Sequence, residues 1–221
     1  MEIKLSQTEE NYLKTIYSLE YINDLNVSTT LIANKIKTKA SSVTDMIKKL
    51  ADKGFINHEK YKGVSLTVVG KTIAIKIIRK HRLWEVFLVE KLNYNWDEVH
   101  EIAEQLEHIQ SNSLINKLDE FLGFPEFDPH GDPIPDANGT IKEHKNLILS
   151  SIEIKTSCVV IGVKDSSSAF LKFLDNANIK LGSMLKVLSI EEFDNSMLIE
   201  NEGVINSISN QISKNLFVKK L

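Results

Sequence analysis

From Val99 to His108 the chain reads VHEIAEQLEH, and the rest of the chain is organised around this stretch. Val99, Ala103 and Leu106 recur at helical spacing with no Gly or Pro between them, so the segment predicts a helix with one buried stripe. His100, Glu104, Glu107 and His108 then project from roughly one other face. Upstream, His81 and Glu85 repeat the i, i+4 pattern in a second predicted helix. A lone His–Glu pair at that spacing is usually a solvated surface. Six such residues on two nearby helices instead point to a site for a divalent transition metal, because imidazole and carboxylate are its usual donors.

Charge is divided unevenly along the 221 residues. Residues 1–80 carry 14 Lys+Arg against 8 Asp+Glu, whereas residues 81–130 carry 3 against 11. A basic front suits a polyanion and an acidic middle suits cations. No apolar run approaches the roughly 20 residues that cross a bilayer, and the N-terminus has no secretory apolar core, so a cytoplasmic protein without a membrane partner is expected. The single Cys158 excludes an intrachain disulfide and sits in an apolar run, as buried filler does.

The basic front has a recognisable order. Residues 6 to about 22 predict a helix opened by a Ser6/Glu9 capping box. A short helix through Ile36 follows, with Ser28 as its cap. A tight turn and a helix over about Ser41 to Lys53 come next, ending at Gly54. Phe55–Glu59 and Val64–Thr67 then predict a hairpin around Lys60-Tyr61-Lys62-Gly63. Helix, turn, helix and basic hairpin together predict a winged helix-turn-helix that binds double-stranded DNA. The expected contacts are Thr29, Lys39, Ser41, Ser42, Thr44 and Lys48 around the second helix, with Tyr61 and Lys62 on the wing. Simple helix capping is the plainer alternative for Ser41, Ser42 and Thr44.

Thr67 is positioned to cap a long helix that ends near Asn93. Helices over Trp96–Gln110 and Leu114–Leu122 follow, and their apolar faces exceed what one subunit can cover, which predicts a homodimer. Residues 123–139 hold all four prolines and three of the nine glycines and predict an ordered loop, in which His130 reads as a turn residue. After Ser150 the pattern becomes β-rich, with five strands and a short helix at Ser168–Leu174, as in a small β-barrel.

These residues resemble the diphtheria toxin repressor and manganese transport regulator family, over nearly the whole length. Thr8–Tyr17 is similar to that family's opening helix, Arg79–Leu83 with Glu85 to its first metal-binding stretch, and His100 with Glu104, Glu107 and His108 to its second. Gly131–Pro135 resembles the loop that leads to its SH3-like C-terminal domain. The resemblance implies a mainly α chain with β, in four parts: a winged helix-turn-helix over residues 1–72, a helical metal-binding and dimerisation domain over 73–140, a linker over 141–150 and an SH3-like, FeoA-like barrel over 151–221. It implies an ancillary site at His81, Glu85 and His100, with Asp165 as a carboxylate lent by the barrel. It also implies a primary site at Glu104, Glu107 and His108, completed by Asn11. Where the family carries Met or Asp, this chain has the neutral amide of Asn11. Glu104 stands where iron-type members carry Cys, and its hard oxygen favours Mn(II) over Fe(II), with Zn(II), Co(II) or Ni(II) able to substitute in vitro. Lys14 replaces the second bridging Glu of short manganese-type members, which argues against a two-metal centre.

The implied function is a metal-dependent transcriptional regulator, a repressor of metal-uptake genes, rather than an enzyme. Repulsion among Glu85, Glu104 and Glu107 is expected to loosen the protein without metal, and Glu107→Ala to abolish metal-dependent DNA binding while leaving the fold intact. One alternative is a winged-helix regulator whose His/Glu cluster has no regulatory role. The other is a helical metalloenzyme, for which no nucleophile, phosphate-binding glycine motif or site for a small organic substrate is evident.

Overall fold

Ser6 and Glu9 open the first helix as a reciprocal box: the Ser6 N–H donates to the Glu9 carboxylate (2.8 Å) and the Glu9 N–H to the Ser6 hydroxyl (3.3 Å). In the computed structural model, which describes residues 5–23, 27–59, 63–142 and 147–221, this helix is α1 (Gln7–Asn23). The chain forms two compact units. One comprises residues 1–81, 104–113 and 135–140; the other comprises 82–103, 114–134 and 141–221.

The first unit is built on the winged-helix order. Helix α2 (Thr29–Ile36) is capped by the Ser28 hydroxyl and stopped by Lys37 in the left-handed region, with φ 56°. Helix α3 (Ala40–Asp52) follows, and Val43, Ile47 and Leu50 recur on its buried face. Strands β1 (Ile56–Glu59) and β2 (Gly63–Leu66) pair antiparallel from Ile56↔Leu66 to Glu59↔Gly63. Val27 adds a bridge to Val64, and the Glu20 carboxylate of α1 accepts the Leu66 N–H (2.6 Å), so α1 is tied to the wing strand. Leu13, Ile16, Ile32, Ile47, Leu50 and Phe55 fill the core, each fully buried and each worth about 1.5–3 kcal/mol of removed apolar surface. Lys60, Tyr61 and Lys62, which the sequence reading assigned to the hairpin, lie outside the described residues.

Helix α4 (Val68–Leu92) starts at Thr67, whose hydroxyl accepts the Gly70 N–H (3.1 Å). Gly70 is required there, since a Cβ would meet the Phe55 carbonyl oxygen at 2.0 Å. Helix α5 spans Val99–Leu106, shorter at both ends than the sequence reading of Trp96–Gln110. Helix α6 (Asn112–Phe121) follows.

In the second unit the sheet runs β3 (Leu147–Ile148), β8 (Leu216–Lys220), β4 (Ser157–Val163), β5 (Met184–Ile190), β6 (Met197–Asn201) and β7 (Val204–Ile208), all neighbours antiparallel. Five of these strands match the sequence expectation. The sixth, β3, has two residues and no pattern of its own, and it exists through its pairing with Val218 and Phe217. Helix α7 (Ser168–Asn176) sets Leu171 and Leu174 against Cys158, Val160, Val187 and Ile199, and α8 (Asn210–Ser213) is a single capped turn.

Cys158 is fully buried, and that burial pushes its thiol up to about 11. An aromatic disulfide reagent at pH 8 is therefore expected to leave the native protein unlabelled and to titrate one thiol after unfolding. Rapid labelling of the native protein would contradict this packing.

Candidate metal centre

Within the first unit, α1 presents three consecutive residues, Glu9, Glu10 and Asn11, that point in different directions because each helical step turns about 100°. Glu10, 4% exposed, accepts from His108 Nδ1 at 2.5 Å and from Gln110 Nε2 at 2.7 Å. Holding Nδ1 in this way would leave His108 Nε2 as the ring nitrogen able to reach a metal. His108 Nε2 lies 3.9 Å from Glu107 Oε1, close enough for both to reach one ion at the usual bond lengths of about 2.1 Å.

Glu107 is fully buried. Its Oε2 meets His81 Nδ1 at 2.6 Å, and Lys14 Nζ sits 2.7 Å from Oε1. Burial works to raise its pKa, but His81 and Lys14 outweigh that and hold it below the ordinary carboxylate value. Lys14 also lies 3.6 Å from Glu104. The expected bare repulsion between Glu104 and Glu107 is thus relieved by an internal ammonium group.

Asn11 stands three residues before Lys14 on α1 and so shares its face. Its buried Oδ1 has no hydrogen-bond partner among the described residues. An orphaned amide oxygen on the helix that holds His108 through Glu10 and Glu107 through Lys14 fits a hard divalent ion, which would satisfy it.

The sequence reading placed His100, Glu104, Glu107 and His108 on one helical face. Instead, α5 ends at Leu106, and Glu107 and His108 follow in a turn closed by the Ile109 N–H on the Leu106 carbonyl (3.2 Å). His100 belongs to the second unit, where its Nδ1 is 3.3 Å from Glu85 Oε1. His81, one turn ahead of Glu85 on α4, turns its Nδ1 to Glu107.

The second unit supplies a cluster that sequence reasoning missed. Ligand atoms of Glu85, Asp128 and His130, all buried, lie within 4.8 Å of one another. His130, read from sequence as a turn residue, is 3% exposed. Its Nε2 is 2.9 Å from the Trp96 carbonyl and its Nδ1 is 3.6 Å from Glu85 Oε2. Burial opposes its charge, but Glu85 and Asp128 raise its pKa to about 9. Burial, Glu85 and Asp132 push Asp128 up to about 7, against Arg82 and His130. Asp128 Oδ1 accepts the His130 and Asp132 N–H groups (2.8 and 2.9 Å), which shapes the loop around the cluster. Asp165 lies just past β4, where its Oδ1 accepts the Ser167 N–H (2.9 Å).

Of the residues expected to contact DNA, Lys39, Ser41, Ser42 and Lys48 are exposed and Thr29 is half-buried. Thr44 donates its hydroxyl to the Ala40 carbonyl (3.0 Å). The α3 N-cap is Lys39, with no side-chain cap bond, so Ser41 and Ser42 do not serve as caps. Tyr61 and Lys62 fall outside the described residues.

Three family models cover the chain. The iron-dependent repressor N-terminal DNA-binding domain matches residues 4–64, the iron-dependent repressor metal-binding and dimerisation domain matches 67–136, and the FeoA domain matches 148–220. An uncharacterized HTH-type transcriptional regulator of Methanocaldococcus jannaschii is 38% identical over 118 residues, 53% of this chain and 94% of that one. The iron-dependent repressor IdeR of Mycobacterium leprae is 33% identical over 131 residues, 59% of this chain and 56% of that one. The solved structure of a manganese-dependent transcriptional repressor in complex with manganese aligns with a TM-score of 0.85 at 34% identity, covering 96% of this chain and all of that one. With its DNA-binding, metal-binding and FeoA segments in this order, the chain belongs to the diphtheria toxin repressor and manganese transport regulator family.

Proposed function

We propose that this protein is a cytoplasmic regulator that binds operator DNA as a homodimer when Mn(II) occupies its metal centre, and so represses metal-uptake genes. The observation that carries this reading is the orphaned, buried Asn11 oxygen on a helix whose neighbours Glu10 and Lys14 already hold His108 and Glu107. Asn11, Glu104, Glu107 and His108 would hold the primary ion. Glu85, Asp128 and His130, with His100 beside Glu85, would hold a second. Three oxygens and one imidazole at the primary site favour Mn(II), with Fe(II) as the second choice. A divalent ion held there would supply the positive charge that Lys14 otherwise gives Glu104 and Glu107, and Asn11 would tie α1 to the segment carrying His108.

Helix α3 would enter the major groove, with Lys39, Ser41, Ser42 and Lys48 at its exposed end and Thr29 on α2 toward the backbone. The exposed Leu114, Phe121 and Phe124 along and just past α6 fit a dimer face. Two recognition helices must match half-sites about one DNA turn apart. Metal would therefore act by favouring the arrangement of α1 and α3 that DNA selects.

The test is affinity for the DNA upstream of the protein's own coding region, titrated with Mn(II), Fe(II) and Zn(II) at fixed salt. Tighter binding with Mn(II) by more than about tenfold is expected. Equal affinity in chelator would leave a metal-independent winged-helix regulator.

A further inference from the structure

Glu9 touches none of the groups assigned above to metal, yet it is 2% exposed and ionically tied to the DNA-reading helix. Its Oε2 closes the box with the Ser6 N–H (2.8 Å). Its Oε1 lies 2.5 Å from Lys53 Nζ and 3.3 Å from Lys49 Nζ, two residues one turn apart at the C-terminal end of α3. The next residue, Glu10, holds His108, and Asn11 follows with its orphaned oxygen. One turn of α1 therefore grips the metal ligands on one side and α3 on another.

We propose that Glu9 is the positioning residue that transmits metal occupancy to the recognition helix, through its paired bonds to Lys49 and Lys53. This rests on the reading of the protein as a metal-dependent DNA binder. Glu9 is nearly fully buried while Lys49 and Lys53 are 54% and 31% exposed, so parting from both would leave a buried carboxylate without a close counter-charge. The first turn of α1 and the last turn of α3 therefore move as one body. When Asn11 and His108 are drawn to a common ion, the shift of α1 is delivered to α3 at Lys49 and Lys53. Without that link, α1 could still close on the metal while α3 kept its metal-free distribution of positions.

The experiment uses the full chain and its double mutant cycle: wild type, Glu9→Gln, Lys53→Gln and both together. Three quantities are measured at fixed salt: Mn(II) affinity of the free protein by electron paramagnetic resonance, and operator affinity with and without saturating Mn(II). Each single variant is expected to keep its Mn(II) affinity within about twofold and to lose about tenfold of the metal-induced gain in operator affinity, with no further loss in the double variant. The amide of Glu9→Gln retains the capping bond, and thermal unfolding reports whether the fold survives; Lys53→Gln tests the same link from the other helix. A role confined to stability would lower operator affinity equally with and without metal, which overturns the proposal. So does a full metal-induced gain in both variants, leaving the regulator reading intact. A wild type with no metal-induced gain overturns that reading and the coupling with it.

Discussion

Replacing Glu107 with Gln is expected to lower Mn(II) affinity by at least about 100-fold and to remove the metal-induced gain in operator binding. Partners behind a ligand typically cost 10–100-fold when lost, so a direct donor should cost no less. Glu107 is also the carboxylate on which three groups converge: His81 at 2.6 Å, Lys14 at 2.7 Å and His108 Nε2 at 3.9 Å. The amide keeps the volume but cannot offset the Lys14 ammonium. The same geometry revises the sequence expectation that Glu107→Ala would leave the fold untouched. A fully buried charge with two close partners leaves those partners uncompensated when truncated, at a cost of about 3–5 kcal/mol. Calorimetric unfolding in chelator separates the stability loss from the metal loss. Unchanged Mn(II) affinity in Glu107→Gln would remove Glu107 from the ligand set.

Much of the first unit is written locally in the chain. The Ser6/Glu9 box, the Ser28 cap, Thr67 at the start of α4 and the apolar spacing of Val43, Ile47 and Leu50 all act within one helical turn, and each is where the sequence placed it. The end of α5 is not local in this sense. Residues 107–110 carry no Gly or Pro, so periodicity alone runs the helix on to Gln110. What stops it is tertiary: Glu10 accepts from both His108 and Gln110, and His81 and Lys14 hold Glu107, which together pull this segment out of the helical path. The same contacts explain why four residues spaced for one face separate into two groups.

Glu10 and His130 are the candidate site residues least legible in the sequence. Glu10 sits beside Asn11, where only the fold decides which of two neighbours faces His108. His130 is surrounded by Asp128, Pro129, Gly131, Asp132 and Pro133, a turn signature that says nothing about burial. A usable signal was the concentration of ionisable residues in that loop, since loops held on a rigid scaffold often carry function. Lys14 was legible as an argument against a two-metal centre. Its pairing with Glu107 was not, because that contact joins residues 93 positions apart.

Gly131→Ala is expected to destabilise the protein by about 3 kcal/mol or more and to weaken the second metal event selectively. Gly131 has φ +85°, where an alanine costs about 1–2 kcal/mol. The greater cost is steric. An added Cβ would lie 2.3 Å from Gly162 Cα and 2.3 Å from the Ile161 carbonyl oxygen, both backbone atoms of β4 that have no rotamer in which to yield. Relief requires the loop to lift from β4, which breaks the bond from the Val163 N–H to the His130 carbonyl (2.8 Å). His130 then leaves the position in which its ring meets Glu85 and the Trp96 carbonyl, so Glu85, Asp128 and His130 no longer converge. For a chain of this size the stability loss corresponds to a melting temperature lower by about 6–12 °C. In a Mn(II) titration the primary event should persist, since its proposed ligands come from α1 and from residues 104–108, while the proposed second event weakens or disappears. An unchanged melting temperature together with two intact binding events would mean that the loop relaxes without cost and that β4 does not set the position of His130.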